Sequence, residues 1–381
     1  MRSRLPANTA PALVAAGLFF ACWGLIHHGF YSNGVLTDLP TYTTYGEQMR
    51  HGHVPYRDFR VEYPPGALPV FLAPAFFANY AFVFGWLMAA CGVAMVLVVA
   101  AATRSRFALG FVAISPLLVG SLYPTRFDLW PVALLGAAVV ALAGRRDRLG
   151  FALLGAATVV KAFPVVVLPV ALIWVYRRRG RAATIQAAAI FAGVVAVVVA
   201  PFFAESPSGL WQSVSGQFSR PLQIETLPAA VAMLVGHPTV ANTHGSFNLI
   251  HLDAVAACLS VVELLAFAAL WFALTRGTVD RERFVQGAAA SVAIFVACGK
   301  VLSPQYLIWL VPLVALLEGR RLAVACGLLA TALGLTLVFF PQRYFDYVEQ
   351  RQLAWVVVLR DLTLVALAAA LSASAVSRSR A

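Results

Sequence analysis

"YAFVFGWLMAACGVAMVLVVAAAT", residues 80–103, runs for 24 positions without one charged side chain. An α-helix needs about 20 apolar residues to cross the hydrocarbon core of a bilayer, so this stretch reads as a membrane span. Residues 11–30, 182–203 and 354–375 approach or exceed the same length. The 381-residue chain is 61% hydrophobic and only 12% charged, against about a quarter charged in an ordinary soluble domain. Its mean hydropathy is +0.82. Barrel strands would alternate apolar and polar residues over about ten positions, and these runs do not. The expected fold is therefore an all-α polytopic integral membrane protein, one unit over residues 1–381.

Arg2 and Arg4 precede the first run as in a signal peptide. The length of that run, and the lack of a small-residue cleavage site before Tyr31, favour an uncleaved helix. Cys22, Cys91, Cys258, Cys298 and Cys326 all lie within apolar runs with no CxxC spacing. That reads as packing rather than as a disulfide framework or metal cage. The net charge is +12, and 26 of the 28 basic residues are arginines. Most sit in short clusters between apolar runs: "RSR" at 104–106, "RRDR" at 145–148, "RRRGR" at 177–181, "RGTVDRER" at 276–283 and "GRR" at 319–321. This is the pattern of cytoplasmic loops under the positive-inside rule. It argues against a nucleic-acid partner, which would need a continuous basic face.

With those clusters inside, both termini are cytoplasmic, residues 31–78 form a first outer loop and 204–248 a long second one. Residues 64–77, "PPGALPVFLAPAFF", are short and proline-interrupted and read as an interfacial helix. Crossings are then expected at 11–30, 80–103, 107–122, 129–144, 148–160, 163–176, 182–203, 250–275, 284–300, 303–318, 321–340 and 354–375, about 12 in all. The inner segments hold 18 Lys and Arg against 4 acids, the outer ones 10 against about 11. All seven histidines and both lysines fall on the outer side. Any chemistry is expected there.

The first outer loop contains "LTDLPTYTTYGEQMRHGHVPYRDFRVEYPPG", 36–66. Thr37 or Asp38 is placed to cap a helix from about Leu39 to His51, with Pro40 early in it and Gly52 at its end. An acid so near hydrocarbon is costly and tends to mark function, so Asp38 has a second reading beyond the cap. Asp58 and Glu62 alternate with Arg57 and Arg60, which would also make a solvated ion-pair cluster. Further outer groups are Arg126 and Asp128 in "SLYPTRFDLWP" (121–131), Lys161 before "AFP", Arg220, Gln223 and Glu225 in "SGQFSRPLQIETLPA" (215–229), His244 in "NTHGSFN" (242–248), and Lys300, Ser303, Gln305 and Tyr306 in "CGKVLSPQYLIWLVP" (298–312). Lys161 can equally be a snorkelling side chain. A loop as long as 204–248 is usually functional when it carries ordered pieces. There is no Gly-rich phosphate loop, HExxH helix or nucleophile elbow, and no acid cluster that demands a metal. Neither metal nor cofactor is expected.

The blocks "DLPTY" (38–42), "VPYRDFRVEYPPG" (54–66), "RFDLWPVALL" (126–135), "KAFPVVVLP" (161–169), "SRPLQIETLPA" (219–229) and "KVLSPQYLIWLVPL" (300–313) together resemble glycosyltransferase family 87 of the GT-C superfamily. These are polyprenyl-phosphate-mannose-dependent mannosyltransferases and their relatives. The resemblance implies a multi-helix GT-C fold whose first outer loop forms interfacial helices and carries the catalytic acid. It implies a polyprenyl-phosphate-linked sugar donor, mannose first, a lipid or glycan acceptor, inversion at the sugar, and no nucleotide sugar at the site. Asp38 matches the acid of the D-L-x-x-Y pattern and is the implied base. Asp128 falls on the second-loop acid.

The chemistry required is consistent with those residue types. A sugar on a lipid phosphate has a leaving group that needs no proton. The enzyme then needs one base for the acceptor hydroxyl and cations for the departing phosphate. A carboxylate of ordinary pKa is ionised at neutral pH and can be that base. Lys161, Arg220 and Lys300 are expected to bind the donor phosphate. Tyr42, Asp58, Glu62, Arg126, Asp128, Gln223, Glu225, His244, Gln305 and Tyr306 are expected around the sugar or acceptor. A transferase for another lipid-linked sugar, arabinofuranose or glucose, fits the same residues. A transporter or flippase is the alternative from another class. It fits less well, because the apolar segments show no matched halves and the charges gather on one face. Glu263 lies in mid-span and has no assigned role.

Overall fold

The computed structural model describes residues 9–32, 36–277 and 280–376; Arg2 and Arg4 of the expected cytoplasmic N-terminus lie outside the described residues. The protein is mostly helical. Five segments are long and apolar enough to cross a membrane: Tyr80–Ala102, Phe163–Glu205, Asp253–Thr275, Gly319–Phe339 and Ala354–Ala375. They are fewer than the crossings expected. Thr9–Leu25, Arg106–Val119, Leu129–Ala143 and Pro304–Ala315 are helical and apolar but shorter. The segment Phe163–Glu205 holds both expected spans 163–176 and 182–203, two helices that meet at a kink at Gly180, whose φ of 75° no helix accommodates. Helices apolar on all sides belong in lipid. In the span Asp253–Thr275 only 17% of the apolar window is covered by protein, and Leu264 and Leu265 face outward. The chain is a multi-pass membrane protein.

Thr9–Leu25 lies against Arg106–Val119 and Tyr80–Ala102, and Leu129–Ala143 against Asp147–Val160 and Tyr80–Ala102. On the other flank Ala354–Val376 is held by Arg281–Cys298, Gly319–Phe339 and the short helix Leu227–Val235. One end of the bundle is tied by the arginine clusters. Arg177 donates to the Gly277 carbonyl (3.0 Å), Arg281 to Glu318 (2.8 Å) and Ala102 (3.2 Å), and Arg283 to Ala375 (2.7 Å). Asp147 accepts from Arg178 and Arg179 at 2.6 and 3.0 Å.

At the opposite end the two long loops are ordered. In the first, the helix Leu39–Arg50 packs on the helical pieces Leu68–Leu72 and Ala73–Phe76. Tyr42 stacks on Phe71 with centroids 4.6 Å apart, and Tyr63 and Phe127 meet both rings edge-on or tilted. The expected helix is present, and of its two candidate caps it is Thr37 that makes a hydrogen bond. Asp38 sits at the N-cap position without a capping hydrogen bond, and the Leu39 amide bonds Thr37 Oγ1 instead (3.1 Å). The Asp38 carboxylate has a stronger partner, described below.

The second loop corrects the all-α expectation. Besides the helices Pro207–Phe218 and Leu227–Val235 it holds β1 (Leu222–Gln223), β2 (Val240–Thr243) and β3 (Ser246–Leu249), antiparallel in the order β1-β3-β2. His244 and Gly245, both at positive φ, make the two-residue turn between β2 and β3, as a tight hairpin requires. Strands of two to four residues carry too few alternations to be read from sequence.

Gly66 of the "EYPPG" block fixes where the first loop meets the bundle. A Cβ there would lie 2.6 Å from the Val159 carbonyl oxygen, so only glycine lets the loop reach the helix Asp147–Val160. Gly66→Ala is expected to destabilise the fold by about 1–3 kcal/mol through overpacking. Thermal unfolding in detergent checks this, and an unchanged melting temperature would mean that the backbone yields freely.

Candidate active site

Asp38 stands at the mouth of a cavity of about 530 Å³ between the two loops. Its carboxylate pairs with Arg126, which emerges between the short helix Leu122–Thr125 and Leu129–Ala143. Arg126 is almost wholly buried, whereas the Asp38 side chain keeps 35% of its surface open. Tyr42, one turn along the helix, donates from its hydroxyl to Asp38 Oδ2 at 3.2 Å. Burial first, then the nearby Tyr63 and Asp38, pushes that hydroxyl well above its ordinary pKa, so it keeps its proton and remains a donor. Asp38 is thus held by two donors and open toward the cavity.

Asp128 has no exposed surface and forms the floor behind this pair. Its Oδ1 accepts from Lys161 Nζ at 2.7 Å and from Trp309 Nε1 at 2.5 Å, while Oδ2 has no hydrogen-bond partner. Lys161 also lies over the rings of Phe127, Trp309 and Tyr306, at 4.7, 5.3 and 5.8 Å from their centroids. Trp309 stacks between Phe163 (3.8 Å) and Tyr306 (4.0 Å). Cation–π contacts of this kind stabilise an ammonium that is largely withdrawn from water.

The third wall is the small sheet. Arg220 donates to Ser246 Oγ (2.8 Å) at the hairpin and keeps a buried Nε without a partner. The Gln223 side-chain amide donates to Ser303 Oγ (3.1 Å), joining β1 to the segment after Cys298. Glu225 is 2% exposed. Its Oε1 accepts from the Tyr344 hydroxyl at 2.5 Å, and its Oε2 has no partner. Burial pushes the Glu225 carboxyl above its ordinary pKa.

Of the residues singled out from sequence, the cavity brings together Asp38, Glu62, Arg126, Lys161, Arg220, Gln223, Glu225, His244, Gln305 and Tyr306. Tyr42 and Asp128 stand directly behind its wall, bonded to Asp38 and Lys161. Two lie elsewhere. Asp58 is on the surface, where the neighbouring Arg57 guanidinium holds its carboxyl down at about 2 and where Arg57 also reaches Glu205. Lys300 turns its ammonium away to the Phe218 carbonyl (2.8 Å) and does not line the cavity. Tyr344 and Trp309 were not anticipated. The segment "PQRYFDYVEQRQ" (341–352), polar and aromatic between two apolar runs, was the available signal for Tyr344. Among the described residues no three His, Cys, Asp or Glu side chains are grouped as a metal site would need.

Residues 62–304 match the family model for glycosyltransferase family 87. No curated protein matches the chain in sequence. The crystal structure of ArnT from Cupriavidus metallidurans bound to undecaprenyl phosphate shares the fold, with a TM-score of 0.51 and 13% identity over 97% of this chain and 78% of that one. At that identity the likeness is one of architecture.

The Asp128–Lys161 pair makes a stability prediction. Asp128→Ala leaves a buried ammonium without its counter-ion and is expected to destabilise by about 3–5 kcal/mol. Asp128→Leu combined with Lys161→Met is expected to recover most of that loss. Thermal unfolding of single and double variants tests it, and a single variant as stable as the parent would show that the aromatic rings suffice.

Proposed function

Since the chain belongs to glycosyltransferase family 87, we propose that it transfers a sugar, mannose, from a polyprenyl-phosphate donor to a lipid or glycan acceptor, with inversion, in a cavity on the outer side of the plasma membrane. One observation carries this reading: a partly open carboxylate, Asp38, on the same cavity as the partly buried cations Lys161 and Arg220. The match of fold to a protein crystallised with undecaprenyl phosphate supports a polyprenyl phosphate as the carrier.

In this mechanism the acceptor hydroxyl attacks the anomeric carbon while Asp38 takes its proton. The bond from that carbon to the phosphate oxygen breaks, and the lipid phosphate leaves with the electron pair. Lys161 and Arg220 balance the charge that develops on it. Arg220 is suited to this because its buried Nε has no partner in the protein. Arg126 and Tyr42 hold Asp38 in position, which shortens the search for a productive geometry. A single displacement inverts the anomeric centre, so a β-linked donor yields an α-mannoside. The reaction as written requires no cofactor.

The test uses purified protein in lipid, donors carrying mannose, glucose or arabinofuranose on polyprenyl phosphate, and a membrane-lipid extract as acceptor. Transfer is expected from the mannosyl donor. Asp38→Asn is expected to lower the rate by about 10²-fold or more, the usual contribution of a general base. Arg220→Ala is expected to slow transfer as well. A folded Asp38→Asn protein with the normal rate would remove Asp38 from the base role, and transfer only from another donor would replace mannose.

A further inference from the structure

Two acids on the cavity, Glu62 and Glu225, are left without a task by the proposed chemistry, and Glu225 is the buried one. It is 2% exposed, and Tyr344 occupies one of its oxygens. The other oxygen is buried without a partner although the residue lines the cavity. A buried acceptor left unsatisfied is costly, and native proteins retain few of them without a reason.

The protein also holds this residue from behind. Arg360 donates from Nη2 to the Glu225 backbone carbonyl at 2.7 Å, and Tyr347 donates to the Ile224 carbonyl at 2.5 Å. Arg360 has no exposed surface and is itself paired with Asp361 at 2.6 Å, inside the helix Ala354–Val376. Placing an ion pair within a membrane helix is unfavourable unless something is gained from it. Here it anchors the backbone that carries Glu225. All of these anchors lie beyond residue 304, outside the part of the chain matched by the family.

We infer that Glu225, oriented by Tyr344 and Arg360, accepts a hydrogen bond from a hydroxyl of the donor's sugar and so sets which sugar the enzyme takes. The inference rests on the transferase reading above. A carboxylate repels phosphate, so its free oxygen calls for a neutral donor such as a sugar hydroxyl. Arg220, assigned to the donor phosphate, is only five residues away along the chain, which spans at most about 17 Å even when extended. The sugar is bonded directly to that phosphate. Burial raises the Glu225 carboxyl against the pull of the Tyr344 hydroxyl and the Arg360 charge. A site built around such a bond discriminates strongly against a sugar that lacks the hydroxyl, because the buried acceptor then stays unpaired.

The experiment measures binding of bare polyprenyl phosphate and of polyprenyl-phosphate mannose to the purified full chain, by tryptophan fluorescence, for the parent, Glu225→Gln and Glu225→Ala. Transfer from 2-, 3-, 4- and 6-deoxy donors is measured alongside. The parent is expected to bind the sugar-bearing lipid about tenfold or more tightly than the bare one. Both variants are expected to bring that ratio toward one. One deoxy donor should be poor with the parent and suffer no further loss with Glu225→Gln, the signature of a shared contact. A preference that survives both substitutions, or an equal fall for every donor, would overturn the assignment while leaving the transferase reading intact. Failure of the parent to bind either lipid would overturn both.

Discussion

The ion pair between Asp38 and Arg126 joins the first polar loop to the helical bundle, and much of the cavity end depends on it. A guanidinium this deeply buried cannot be left alone, because the desolvated charge needs a partner of opposite sign. Asp38 therefore serves Arg126 rather than the amides of its own helix, and Thr37 takes up the local hydrogen bond. That choice draws the helix Leu39–Arg50 across the cavity, and the Tyr42 ring then stacks on Phe71 against Phe127. The glycine at position 66 brings the far end of the loop down onto the Asp147–Val160 helix. The loop is thereby part of the core rather than a lid over it.

The same constraint explains the other buried charges, which divide by location. At the arginine-rich end, Asp147 accepts from two arginines and Arg283 ties helix ends together. Those pairs hold segments in place. At the cavity end the pairing is incomplete. Arg126 Nε, Asp128 Oδ2, Arg220 Nε and Glu225 Oε2 are all buried without a hydrogen-bond partner. Several such atoms lie around one hollow or directly behind its wall.

Much of this site was legible because polar residues in so apolar a chain stand out. Lys161, Arg220, Gln223, Glu225 and Gln305 each interrupt apolar sequence, and all of them reach the cavity. Direction was not legible. Lys300 lies in the same kind of interruption, yet its ammonium turns to a backbone carbonyl of the opposite loop. Asp58 sits among arginines as its neighbour Glu62 does, but a tight bend puts it on the surface while Glu62 faces inward. The hairpin of β2 and β3 escaped notice because strands of four residues have no period to detect.

By itself, the sequence determined the class of the protein, a bundle of membrane helices, and the grouping of its polar segments, because hydrophobic length and arginine placement act residue by residue along the chain. It also singled out Asp38, since an acid beside hydrocarbon is rarely idle. Only the tertiary structure decided what each charge is paired with. That Arg126 holds Asp38, that Trp309 joins Lys161 on Asp128, and that Tyr344 and Arg360 hold Glu225 from the last helical segments are contacts across 88 residues, across 181 for Trp309 and 33 for Lys161, and across more than 100. The energy of a buried charge depends on the nearest opposite charge in space, and no local pattern in a chain encodes that distance.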